Sequence, residues 1–145
     1  MIYNDKDEIV IFKRAQPPVG LWELQQGGVN LNESPKKTLW RELHEEVGII
    51  QADIEKISQM PGWTVYQRSE PLMDSNDMIG QAHCWFFLKL KPDRMIDLEK
   101  SLENEVSEFK WTNFEELISI TGDHKQHVYR QLRSFFHEQI LKNPR

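Results

Sequence analysis

The stretch Gly27–Ile50, GGVNLNESPKKTLWRELHEEVGII, decides how the rest of the chain is read. Ser34-Pro35 is a helix start. Serine caps well, and proline suits the first helical position, where its missing N–H costs nothing. Gly48 is the stop, free to turn left-handed just past the last turn. At about 100° per residue, Leu39, Leu43 and Val47 form one apolar stripe. Glu42, Glu45 and Glu46 share a neighbouring arc of about 100°. Like charges this close weaken a helix by a few tenths of a kcal/mol per pair. A lone ExxEE run is ordinarily a solvated acidic face. A divalent cation reverses that argument, because Mg²⁺ prefers oxygen ligands and often joins carboxylates to substrate phosphates.

The spacing around the run is specific. It reads Gly27-x5-Glu33-x7-Arg41-Glu42-Leu43-x-Glu45-Glu46-x-Gly48-Ile49. This resembles the complete Nudix box, with every fixed position filled, and so many positions at set spacing outweigh a lone glycine motif. The resemblance implies a Nudix hydrolase that cleaves a nucleoside diphosphate linked to another group, using Mg²⁺ or Mn²⁺.

The composition agrees. At 145 residues the chain has enough length for one domain with a sizeable core, 1–145. A net charge of −5 gives no overall basic footprint for long nucleic acid, but leaves room for a small phosphate pocket. Cys84 is the sole cysteine, so no internal disulfide forms, and its apolar neighbours predict an inert core residue. The start, MIYNDKDE, is unlike a signal peptide, and no apolar run approaches spanning length. A cytoplasmic enzyme with no membrane partner is expected.

Along the chain, Met1–Tyr3 is a scrap of strand, and Ile9–Phe12 a buried strand ending in Lys13-Arg14. Residues 17–20 form a loop. Ala52–Met60 suggests a strand with imperfect alternation, and Trp63–Tyr66 another. Arg68–Gly80 is polar and reads as a long loop of the kind that often carries function. Ala82–Leu90 is expected to be one strand, and Phe109–Trp111 a short one. Asn113 caps a helix from Phe114 to about Ile118. A last helix runs from Asp123 to about Leu141, with Val128, Leu132 and Phe135 on one face. Strands mixed with helices predict an α/β layer arrangement. The resemblance sharpens this to the Nudix α/β/α sandwich with a mixed sheet, its first strand truncated to Met1–Tyr3.

Segments outside the box narrow the branch. Leu21–Asn30 (LWELQQGGVN) is similar to the WQxPQGGI approach of bacterial RNA 5′-pyrophosphohydrolases and plant-type diadenosine tetraphosphate hydrolases. Gly80-Gln81 with Trp85-Phe86 matches their GQxxxWF strand. Glu105–Trp111 resembles their EFxxWxW segment, and His124-Lys125 with Val128-Tyr129-Arg130 their FKxxVYR helix start. The resemblance implies that Glu42, Glu45 and Glu46 are metal ligands or the base, with Glu42 or Glu46 as the catalytic base. Glu105 is implied as a fourth acidic group and the Gly27 carbonyl as an extra ligand. Glu33, Arg41 and Gly48 are implied to support the box. Arg14, Lys125 and Tyr66 match positions that contact phosphate or nucleotide. Trp63, Tyr66 or His124 could stack on a base. Read without the family, Arg14 and Lys125 are solvated charges and Tyr66 is core.

Three departures stand out: Gln25 replaces the proline of PQGG, His124 replaces the stacking phenylalanine, and Cys84 replaces a lysine. The stretch with Glu70, Asp74 and Asp77 against Arg68 disfavours RNA, because phosphate contacts dominate nucleic-acid affinity. The expected substrate is therefore a dinucleoside polyphosphate or another small nucleotide, with the 5′ end of triphosphate RNA as the alternative. A catalytically silent domain that binds nucleotide or a partner is the rival class, and the presence of all four acidic positions argues against it. His83, His127 and His137 read as surface or packing residues.

Overall fold

The computed structural model describes residues 1–67 and 79–142. The central sheet is mixed. Strand β1 (Ile2–Tyr3) lies between β2 (Ile9–Arg14), antiparallel, and β7 (Phe86–Leu90), parallel. Beyond β7 lies β4 (Ile54–Gln59), antiparallel to it. The short β3 (Trp22–Glu23) pairs with the end of β2, and β8 (Val106–Thr112) runs along the other edge of β2. Both residues of β1 are buried and tied to strands on each side.

Alternation on β2 produces the layers. Ile9 and Ile11 face one core with Phe87 and Tyr129, whereas Val10 and Phe12 face the other with Leu43, Val47 and Leu88. The second face is covered by helix α1 (Pro35–Val47). The first is covered by α2 (Phe114–Ile120) and α3 (Asp123–Phe135), which continues with π-type bonding through Phe136–Leu141. The sheet between two helical layers is the expected α/β/α sandwich.

The α1 caps form as anticipated. The Lys37 amide donates to Ser34 Oγ at 3.3 Å, Pro35 opens the helix, and Gly48 has φ 70°. A Cβ on Gly48 would come within 2.7 Å of Lys100 Cβ, so crowding as well as conformation favours glycine there. Asn113 caps α2 by accepting from the Glu116 amide at 2.9 Å.

Several expectations change. Ala82–Leu90 is not one strand. It breaks at Cys84-Trp85 into β6 (Gly80–His83) and β7, which belong to different sheets. β6 pairs with β5 (Thr64–Gln67) in a two-stranded arm. Cys84 sits at this crossover, half-buried, with Sγ accepting from Gln59 Nε2 at 3.2 Å, and is not a core residue. In β4 burial alternates residue by residue although the apolar residues do not, which leaves Ile57 on the exposed side. The Phe109–Trp111 strand extends to seven residues because β2 pairs along its length. Of the long loop at Arg68–Gly80, residues 68–78, with Arg68, Glu70, Asp74 and Asp77, lie outside the described residues.

Candidate active site

The site is where the loop before α1 folds back on the helix. Arg41 is the clamp. Its Nε and Nη2 donate to the two Glu33 oxygens at 2.9 and 2.8 Å, and Nη2 also reaches the Gly28 carbonyl at 2.8 Å. Two parallel charge-assisted bonds fix direction as well as distance. Glu33 accepts further from Thr38 Oγ1 and the Asn30 amide. The Arg41 guanidinium, then the Thr38 hydroxyl, lower the Glu33 pKa to about 2, and Arg41 is itself pushed up. These two residues tie residues 28–33 to α1.

The lock brings Gly27 against Glu42. A Cβ on Gly27 would lie 2.1 Å from Glu42 Cγ, so only glycine permits this approach. Arg41 Nη1 holds Glu42 Oε1 at 2.7 Å and Glu45 Oε2 at 3.1 Å. Among the described residues no ion pair reaches Glu46, Glu103 or Glu105. A carboxylate oxygen from each of these three lies within 4.8 Å of the others. Glu46 is buried and accepts from Gln25 Nε2. Burial, then the charge on Glu105 and contact with Glu42, push its pKa well above the carboxylate range. Glu103 is also raised, by desolvation and then by Glu45, Glu105 and Glu42.

Glu103 was missed in the sequence reading. It lies in the bent segment before β8, two residues from Glu105, where no regular period marks it in the sequence. Its loop is tied to the box, because the Leu102 and Glu103 amides both donate to the Glu45 carbonyl, at 2.8 and 3.0 Å. Five carboxylates, from α1 and from residues 103 and 105, thus border one open cleft of about 780 Å³. All five offer oxygen donors. That is the donor set a hard divalent cation requires, and without such a cation their crowding is unfavourable.

The remaining residues surround this cleft. Trp63 is more than half exposed at its rim. A smaller apolar hollow of about 100 Å³ opens beside Glu42, between Leu39, Trp63 and Trp85. Tyr66 is packed into the core at 2% exposure, its ring stacked on His83, and reaches the cleft through its hydroxyl bond to Gln81 at 2.7 Å. His83 lines the cleft, and burial, helped by Lys125, lowers its pKa to about 4. His124 lies at the surface, 5.4 Å from the Tyr66 ring. Arg14 and Lys125 are not solvated charges: both pair with Glu23, at 2.9 and 3.4 Å. His127 packs by holding the Val65 carbonyl at 2.8 Å.

The NUDIX domain family model matches residues 1–134. The chain belongs to the Nudix family and is a hydrolase of phosphoanhydride bonds in nucleotide substrates. It is 36% identical over 122 residues to an RNA pyrophosphohydrolase of Francisella tularensis subsp. mediasiatica, covering 82% of this chain and 79% of that one. Its fold is similar to that of a C. elegans Ap4A hydrolase, with TM-score 0.67, 18% identity, and 94% of each chain covered. The E. coli dihydroneopterin triphosphate pyrophosphohydrolase is similar too, with TM-score 0.69, 18% identity, and 90% and 88% covered. The family generally uses a divalent metal, and the acidic cluster suits one. No helix among the described residues is long and apolar enough to cross a membrane.

Proposed function

We propose that the protein is a cytoplasmic pyrophosphohydrolase acting on the 5′ polyphosphate end of RNA, with Mg²⁺ or Mn²⁺ held by Glu42, Glu45, Glu46, Glu105 and the Gly27 carbonyl. The observation that carries this reading is the crowd of carboxylates on an open cleft, of which Glu46, Glu103 and Glu105 meet no cation among the described residues. The RNA choice reverses the preference for small nucleotides. That preference rested on Glu70, Asp74 and Asp77, which lie outside the described residues, while the Francisella relative bears the RNA name.

When bound, the metal neutralises phosphate charge and makes a coordinated water more acidic. The chain's own groups do the rest. Arg41 ties up Glu42 and Glu45 in part, which leaves Glu46 to take the proton as water attacks phosphorus. The P–O bond to the bridging oxygen breaks and the pyrophosphate or phosphate leaves. Arg14 and Lys125 steady the remaining phosphates, and Trp63, with His124 and the Tyr66–Gln81 pair, borders the nucleotide end.

A second reading, a dinucleoside polyphosphate, is favoured by the exposed Trp63, since a stacking platform serves a free base as well as an RNA end. A 5′-triphosphate oligoribonucleotide and diadenosine tetraphosphate are to be compared under Mg²⁺ and Mn²⁺, with products identified. Faster release of pyrophosphate from the oligonucleotide is expected. Faster cleavage of the dinucleotide would transfer the assignment to the second reading, and no cleavage of either would remove both.

A further inference from the structure

We propose that Glu23 is a selectivity residue that limits how much phosphate charge the site accepts, by occupying the two cations a polyphosphate would otherwise engage. The proposal rests on the hydrolase reading above.

The geometry is that of one carboxylate shared between two cations. Glu23 Oε1 accepts from Arg14 Nη1 at 2.9 Å, and Oε2 from Lys125 Nζ at 3.4 Å. Side-chain exposures are 14% for Glu23 and 12% for Lys125, so this pair is largely withdrawn from water. Lys125 also lies 5.1 Å from the Tyr66 ring centroid. The local chain holds the arrangement. Glu23 is paired with Phe12 in the sheet, and the register shift between Lys13 and Arg14 re-aims Arg14 towards it. Arg14 is held further by the Pro17 carbonyl, yet its Nε is buried with no partner among the described residues.

This cluster opens into the catalytic region. Arg14, Glu23, Gln25, Glu46 and Glu105 line one cavity of about 60 Å³. A phosphate entering this cavity would meet Arg14, with Lys125 beyond it on the far oxygen of Glu23, whereas Arg41 is already committed to Glu33, Glu42 and Glu45. Within the Arg14–Glu23–Lys125 cluster, one carboxylate against two cations leaves a single net positive charge. The bridging position is already taken by a carboxylate, so each added phosphate charge competes with Glu23 before it gains anything. Removing Glu23's charge would leave the largely buried Lys125 and the partly exposed Arg14 without their shared counter-charge. That state favours a bound phosphate while weakening the free protein. A residue that only supports the fold would lose stability without gaining affinity.

The test compares the parent with Glu23→Gln and Glu23→Asp. With the 5′-triphosphate oligonucleotide and Mg²⁺, Glu23→Gln is expected to lower KM about fivefold and steepen its salt dependence, while its melting temperature falls. Glu23→Asp keeps the charge and should stay near the parent KM. Calorimetric affinity for inorganic tripolyphosphate, which needs no turnover, should rise by a similar factor in Glu23→Gln. If the oligonucleotide is not cleaved but tripolyphosphate binds more tightly, the RNA reading fails and this proposal stands. An unchanged or weaker affinity in Glu23→Gln overturns it. Should Glu23→Gln fail to fold, Glu23→Ser removes the same charge with a smaller side chain. The same rise in tripolyphosphate affinity is then expected, and an unchanged or weaker affinity overturns the proposal.

Discussion

Glu33 and Glu46 sit at opposite ends of the same loop-and-helix unit and have opposite electrostatic fates. Glu33 meets Arg41 on two oxygens and is driven down to about 2. Glu46 is buried among Glu42 and Glu105 with an amide, Gln25, as its neighbour, and is driven up. The first is a finished interaction, complete in the protein alone. The second is unfinished, and the missing counter-charge is what a metal and a phosphate substrate would bring. The contrast separates residues that build the site from residues that use it.

The largest effect should come from removing the unfinished charge. Glu46→Gln keeps size and should lower turnover on the order of a thousandfold or more, with the fold intact by circular dichroism. Near-parent turnover under saturating Mg²⁺ would erase the contrast. Next is Gly27→Ala, which forces a methyl into Glu42 and should cost about a hundredfold in kcat/KM through misplacement alone. A parent-like rate would mean that Gly27 and Glu42 need not touch. Trp63→Ala should raise KM about tenfold with little change in kcat, as loss of a stacking surface would.

The smallest effects are on stability, and their signs differ. Glu33 is depressed from 4.5, so its contribution is complete above that pH and is lost as pH falls towards about 2. Glu46 is raised, so its contribution is present below 4.5 and is lost as pH climbs through neutrality in metal-free protein. Melting curves with EDTA should therefore show Glu33→Gln flattening the acid limb and Glu46→Gln flattening the alkaline one. The same limb moved by both variants would contradict the assignment.

The box was legible because each of its signals is local. Ser34, Pro35 and Gly48 mark the helix ends, and the 3.6-residue period alone places Leu43 and Val47 in the core. The break at Cys84-Trp85 was not legible, since an apolar run looks the same whether it serves one sheet or crosses between two. Tyr66 was readable as core, but its ring contact with His83 on the neighbouring strand was not. Glu23 gave no hint of Lys125, because the two meet only when α3 packs on the sheet, 102 residues along the chain. Short-range chemistry was readable; long-range charge pairing was not.

Whether the acidic crowd is a metal bed is tested most directly by a Mn²⁺ titration followed by electron paramagnetic resonance. The parent should quench the free-ion signal, and Glu46→Gln should weaken binding at least about tenfold. Equal affinity in the two proteins, or no binding in the parent, would contradict it.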